Sequence, residues 1–135
     1  MRTPKVYFTD VGMLCRLTGL SDAEHAARGP LGGAIMETAV VGEIVKSLTH
    51  QGRDPELFFW RTSTGVEVDL LVAAGGKLVP IEVKLSATPR PAMGSAIRTL
   101  QRDLGDKVAP GYVVHPGDVR LPLGPGVTAL PFAEL

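Results

Sequence analysis

"FFWRTSTGVEVDLLVAAGGKLVPIEVKLS", Phe58 to Ser86, decides the fold. It reads as three strands, Leu57–Thr62, Val66–Ala73 and Leu78–Leu85, joined by the tight turns "STG" and "AAGGK". Side chains alternate across a strand. Val66, Val68, Leu70 and Val72 are therefore expected on one apolar face, with Glu67, Asp69 and Leu71 opposite. In the third strand Ile81, Val83 and Leu85 share a face, and Glu82 and Lys84 share the other. A turn centred on Gly75–Gly76 pairs the second and third strands antiparallel and sets Asp69 opposite Glu82. Like charges directly opposite are unfavourable. A positive partner is expected there: a metal ion, Lys84, or both.

Outward from this stretch the elements follow in order. "KVYFTD" (Lys5–Asp10) is an extended lead-in, and Asp10 caps a helix through about Leu17 that Gly19 stops. Residues 18–32 form a loop holding a short helical turn. In "GAIMETAVVGEIVKSLTHQG" apolar residues recur from Ile35 to Leu48 at three- and four-residue intervals, which predicts an amphipathic helix from about Gly33 to His50, closed by Gly52. Pro89 and Pro91 open a second amphipathic helix over about 91–104, with Met93, Ile97 and Leu100 on one side. "GYVVHP" (Gly111–Pro116) is a fourth strand and "VTALP" (Val127–Pro131) a fifth. The order α-β-β-β-α-β predicts an α/β domain, a mixed central sheet flanked by helices. Residues 1–32 are read as a helical lead-in and loop, and 33–135 as the α/β core of one compact domain.

Composition sets limits. Apolar residues make up 44% and charged residues 21% of 135, an ordinary globular balance. The formal net charge is zero, so the chain as a whole is not drawn to nucleic acid or an anionic membrane. Cys15 is the only cysteine, which excludes an intrachain disulfide and a cysteine-based zinc site. It sits in an apolar run and is read as a core residue. His25, His50 and His115 show no ligand spacing and are read as surface or loop residues. "MRTPKVYFTD" has no signal-peptide apolar region, and no apolar stretch is long enough to span a bilayer, so a cytoplasmic location is expected.

The acids suggest chemistry. A pair of carboxylates with a lysine two residues further along a strand suits divalent-metal work. Mg²⁺ takes one or two protein carboxylates together with water and phosphate oxygens. Such a metal activates water and stabilises the leaving oxygen in phosphodiester cleavage. The lysine would orient that water or neutralise phosphate charge. Asp69 and Glu82 are the candidate Mg²⁺ or Mn²⁺ ligands, with Lys84 beside them.

"VDLLV…PIEVK", Val68 to Lys84, resembles the core motif of the PD-(D/E)xK nuclease superfamily, a restriction-endonuclease-like fold. Asp69 matches the motif aspartate and Glu82-Val83-Lys84 the (D/E)xK element. Val68 stands where the motif has proline. "GAIME" (Gly33–Glu37) resembles the start of the first core helix in archaeal Holliday-junction resolvases. That makes Glu37 the match to a further metal-binding acid, with Glu43 a second candidate that points away from it. Across most of the chain, "KVYFTDVGML", "GAIMETAVVGEIVK", "LFFWRTSTGVEVDLLV" and "VPIEVKLSATP" together resemble the C-terminal domain of unknown function that follows an AAA-type ATPase domain in prokaryotic ATP-binding proteins. The resemblance implies a catalytic set of Asp69, Glu82, Lys84 and Glu37, DNA as substrate, and an ATPase partner. No GxxxxGK[ST] occurs, so the chain has no P-loop ATP site. It is expected to be a fragment of a longer protein or a stand-alone remnant. The alternative is a catalytically inactive module that binds DNA, forms a homodimer or regulates the ATPase.

Other residues carry two readings each. Glu67 is a metal ligand or an ion-pair partner of Arg61 or Lys84. Glu37 is a site member or a helix-surface acid. Trp60 is core rather than a base-stacking platform. Arg61 contacts phosphate or is solvated. Ser86 and Thr88 bond a phosphate or, more simply, cap the second helix. Residues 84–107 carry five basic side chains against two acids. Arg98 and Arg102 share a helix face there, which either tracks a nucleic-acid backbone or is merely solvated.

Overall fold

The structure, a computed structural model, describes residues 3–135. Met1 and Arg2, the start of the expected 1–32 segment, lie outside the described residues. Helix α1 is Val11–Leu17, capped by Asp10, whose Oδ1 accepts from Met13 N–H at 3.0 Å. Gly19 ends it in the left-handed region, φ 76°. A short α2, Ala23–Arg28, fills the expected loop, with Asp22 as its cap. Helix α3 is Gly32–His50, and Gly52 at φ 72° turns the chain out of it.

Strands β1 (Leu57–Arg61), β2 (Glu67–Ala74) and β3 (Lys77–Val83) form an antiparallel meander. Gly75 and Gly76, at φ 60° and 77°, make the two-residue turn between β2 and β3, a conformation side chains with a Cβ rarely adopt. The register runs from Ala74↔Lys77 to Leu70↔Ile81, so Asp69 and Glu82 are the next residues along, as the turn predicts. A 3₁₀ turn, Pro91–Gly94, leads into α4, Ser95–Leu104. Strand β4 (Gly111–His115) then pairs parallel to β3, and β6 (Val127–Pro131) parallel to β4. A sixth strand unforeseen in the sequence, β5 (Leu121–Pro122), closes the edge antiparallel to β6; at two residues it is too short to show a period. The sheet order is β1-β2-β3-β4-β6-β5, mixed as expected.

The sheet separates two apolar clusters. Val68, Leu71, Val113 and Val127 pack with Ile97 and Leu100 of α4. Leu70, Val72, Ile81 and Val114 pack with Val40, Val41 and Leu48 of α3. Each such fully buried aliphatic side chain contributes about 1.5–3 kcal/mol.

This distribution corrects the simple alternation. Val68 and Leu70 lie in different clusters, although strict alternation gives them one face. The cause is a β-bulge: Trp60 pairs with Val68 but Phe58 pairs with Leu71, so Phe59 alone stands against Asp69 and Leu70. Three other expectations are also corrected. His115 is wholly buried in β4, with Nε2 2.8 Å from Val119 O and Nδ1 accepting from Gly117 N–H at 3.1 Å. Cys15 is only half-buried. Ser86 and Thr88 bond each other in a local turn, and α4 has no side-chain cap.

Gly111 shows how closely α4 sits on the sheet. A Cβ there would meet Pro80 Cγ at 2.7 Å and Ile97 Cγ2 at 2.8 Å, both deep in the packing. Gly111→Ala is expected to lower stability by about 1–3 kcal/mol through overpacking. Urea unfolding should show a lower midpoint at unchanged slope; an unaltered midpoint would mean that α4 can move aside.

Candidate functional site

The site lies where β3 leaves β2 for β4. The Asp69 carboxylate accepts the Val83 N–H on Oδ2 at 2.9 Å, a side chain taking an amide next to the last paired residues of the β2–β3 ladder. Beyond it, Lys84 N–H donates to Val114 O of β4 at 2.9 Å, which holds the Lys84 backbone on the far side. Asp69, Glu82 and Lys84 are thereby brought together by hydrogen bonds to the β3 backbone and its extension rather than by loops.

Glu82 is 3% exposed. Burial raises its carboxyl pKa, and the hydrogen bond and charge of Asp69 raise it further, to about 9. Lys84 opposes this only weakly, with Nζ 3.8 Å from Glu82 Oε2 and its side chain turned partly to water. At neutral pH Glu82 therefore keeps its proton beside the Asp69 carboxylate. A carboxyl so perturbed, beside a specific charged partner, is a candidate functional group.

A second group of charges adjoins the first. Lys5, from the extended segment before α1, places Nζ 2.6 Å from Glu67 Oε1, 3.1 Å from Glu37 Oε1 and 3.8 Å from Asp69 Oδ1. It stands 5.3 Å from the centre of the Phe59 ring. Tyr7 donates its hydroxyl to the same Glu37 oxygen. Burial alone would lower the Lys5 ammonium, but hydrogen bonds to Glu67 and Glu37 outweigh it and hold the pKa above the ordinary lysine value. Burial, with Glu37 adding, pushes the Tyr7 phenol up. Glu67 also accepts from Arg61 Nε at 2.7 Å, and these two cations hold its carboxyl below the ordinary value against its burial.

The residues singled out in the sequence thus divide. Asp69, Glu82 and Lys84 meet. Glu37 lies at the edge of the same cluster, joined to Asp69 through Lys5. Arg61 is bound to Glu67. Arg98 donates to Leu123 O at 2.9 Å and Pro91 O at 2.7 Å, tying α4 to two loops. Arg102 is exposed at the C-terminal end of α4, beside the start of β4, whereas Lys84 follows the C-terminal end of β3. Glu43 pairs with Lys46 on the surface. Sequence reasoning missed Lys5 and Tyr7. Their signal was the period of two in "KVYF", which points both to one side, but nothing in the sequence named what they face.

For a divalent cation, the hard carboxylate oxygens of Asp69 and Glu82 fit. Asp69 Oδ1 is free of the Val83 amide, and a cation is what would displace the Glu82 proton. Among the described residues no three His, Cys, Asp or Glu side chains are arranged to hold a metal ion. The fit is therefore to two protein carboxylates, with water or phosphate completing the shell.

The fold and cluster define a mixed-sheet α/β domain with a carboxylate pair and a lysine at a strand divergence. The chain belongs to the family described as domain of unknown function DUF4143, whose profile matches residues 32–135. It is similar to an uncharacterized protein of Mycobacterium tuberculosis, 34% identical over 134 residues, covering 99% of this chain and 29% of that one. An uncharacterized protein of Mycobacterium bovis matches with the same identity and coverage. The chain thus spans 29% of the length of these curated relatives. No solved structure matches. Among the described residues no helix is long and apolar enough to cross a membrane.

The folded protein holds the Glu82 proton more tightly than the unfolded chain. That contribution to stability is full below pH 4.5 and is lost as pH rises to about 9. Glu82→Gln, neutral at every pH, should be more stable than wild type at pH 8 by several kcal/mol, since the unfolded wild type has lost a proton that the folded form keeps and each tenfold change in proton affinity is worth about 1.4 kcal/mol. At pH 5 the gap should shrink. Thermal unfolding in metal-free buffer at the two pH values checks this, and a gap independent of pH would contradict it.

Proposed function

We propose that this chain is a metal-dependent phosphodiesterase domain of the PD-(D/E)xK type that acts on DNA. The observation that carries the reading is the convergence of Asp69, the buried Glu82 and Lys84 where β3 diverges from β2. Asp69 and Glu82 would hold Mg²⁺ or Mn²⁺, which when bound supplies Lewis-acid activation of water and charge stabilisation at phosphate. The Lys84 ammonium, partly open to solvent, orients the attacking water and offsets phosphate charge. Glu37, at the edge of the cluster, would assist as a further acid of the site. Ser86, two residues beyond Lys84, would bond a phosphate only once its hydroxyl turns from Thr88. Arg61 and Arg98 have their guanidinium groups engaged within the domain, and Arg102 would contribute to DNA contact only away from the carboxylates. An AAA-type ATPase domain is the partner in this reading.

A second reading has one observation in its favour. The acids satisfy one another without a metal: Glu82 is protonated, while Lys5 neutralises its neighbours, and among the described residues no buried side-chain polar atom lacks a partner. A module that has lost catalysis and binds DNA, dimerises or regulates an ATPase would look the same.

Calorimetric titration with Mn²⁺ separates the two. Wild type is expected to bind, and Asp69→Ala combined with Glu82→Ala to bind none. Lys84→Met should keep the metal yet lose DNA cleavage by about 100-fold or more, the usual scale for removing a group that handles the reacting proton. Absence of Mn²⁺ binding by wild type, even with DNA present, would overturn the phosphodiesterase reading and leave the module.

A further inference from the structure

Lys5 belongs to a segment, Thr3–Thr9, that is neither helix nor strand. This segment makes no backbone–backbone hydrogen bond to another described residue. Its side chains alternate: Lys5 and Tyr7 reach inward to Glu37, whereas Val6 and Phe8 are largely exposed. The strap is thus attached through the polar contacts of Lys5 and Tyr7, with some apolar packing of Tyr7. The ammonium reaches three carboxylates from two elements, and the Asp69 oxygen it faces is Oδ1. Asp69 Oδ2 accepts the Val83 amide, so Oδ1 is the oxygen with no amide on it and the more open one to an external cation. The Lys5 ammonium and a divalent ion would therefore meet at the same carboxylate.

We propose that Lys5 is a built-in competitor for the divalent cation, and that the Thr3–Thr9 strap must release Asp69 and Glu37 before the site is fully loaded. The inference rests on the metal reading of Asp69 and Glu82. With the strap docked, the ammonium supplies the counter-charge that keeps the Glu37, Glu67 and Asp69 carboxylates together. Entry of a divalent ion puts like charges a few ångströms apart, and the singly charged, flexible partner is the one that leaves. Anything that pulls on the exposed Val6 and Phe8 then favours loading. The strap makes metal occupancy depend on the position of the chain before α1.

The test is Mn²⁺ titration of wild type, Lys5→Gln and Lys5→Arg by calorimetry. Removing the charge should tighten binding about tenfold or more, since repulsion between a unit charge and a divalent ion this close is large in a partly buried site. Lys5→Arg should bind as wild type does. Equal or weaker binding by Lys5→Gln, with wild type binding through Asp69 and Glu82, would overturn the strap and leave the metal reading intact. A flat titration in every variant would overturn both. Wild-type protein offers a second readout that needs no variant to fold. Reductive methylation of Lys5, followed by mass spectrometry, should run several-fold faster in Mg²⁺, while the exposed Lys46 stays constant; no change at Lys5 would contradict its release.

Discussion

The Asp69 carboxylate holds the Val83 amide, and much of the rest follows from that bond. β3 pairs with β2 on one side up to Ile81 and with β4 on the other from Ile81 onward. At Val83 the strand would have an unpaired amide facing β2, and an unsatisfied buried amide costs about 1–3 kcal/mol. Asp69 removes that cost with a side chain, so the two backbones can separate. Their separation opens the sheet where Glu82 and Lys84 emerge. The bulge opposite Phe59 contributes by placing one extra residue in β2 at that level. A carboxylate is thus both the structural clasp and the nearest anion to Glu82.

Much of this was legible in the sequence because it depends on local rules. The glycine pair at 75 and 76 fixed a two-residue turn, and the turn fixed the register that sets Asp69 beside Glu82. Asp10, Gly19 and Gly52 marked helix ends as their conformations require. What was not legible depends on two strands meeting. The bulge is a mismatch of counts between β1 and β2, and neither strand carries it alone. Val68 was therefore assigned to the wrong face. His115 was read as exposed because its partners, the Val119 carbonyl and the Gly117 amide, come from a loop that folds back on β4. Lys5 lies 64 residues from Asp69 in sequence, and only the fold brings them together.

The charges form a balanced set in which each group depends on the next. Lys5 and Arg61 keep Glu67 ionised, Lys5 also joins Glu37 to Asp69, and Asp69 in turn raises Glu82. Removing Lys5 leaves the Glu37, Glu67 and Asp69 carboxylates uncompensated in a partly buried setting, where the cost exceeds that of a surface ion pair. Such a chain explains how one arrangement can be stable without a metal and still present hard oxygens to one. The carboxylates of the cluster sit on α3, β2 and β3, and Lys5 reaches them from outside the regular elements.

The central claim is that Glu82 holds a proton beside Asp69 that a divalent cation can displace. Carbon-13 NMR of the glutamate side-chain carboxyls, titrated from pH 4 to 10 with and without Mg²⁺, addresses it directly. Without metal, Glu82 should titrate near 9. With Mg²⁺ present it should be ionised at neutral pH, releasing its proton. A Glu82 signal that titrates at the ordinary glutamate value and ignores Mg²⁺ would contradict the account.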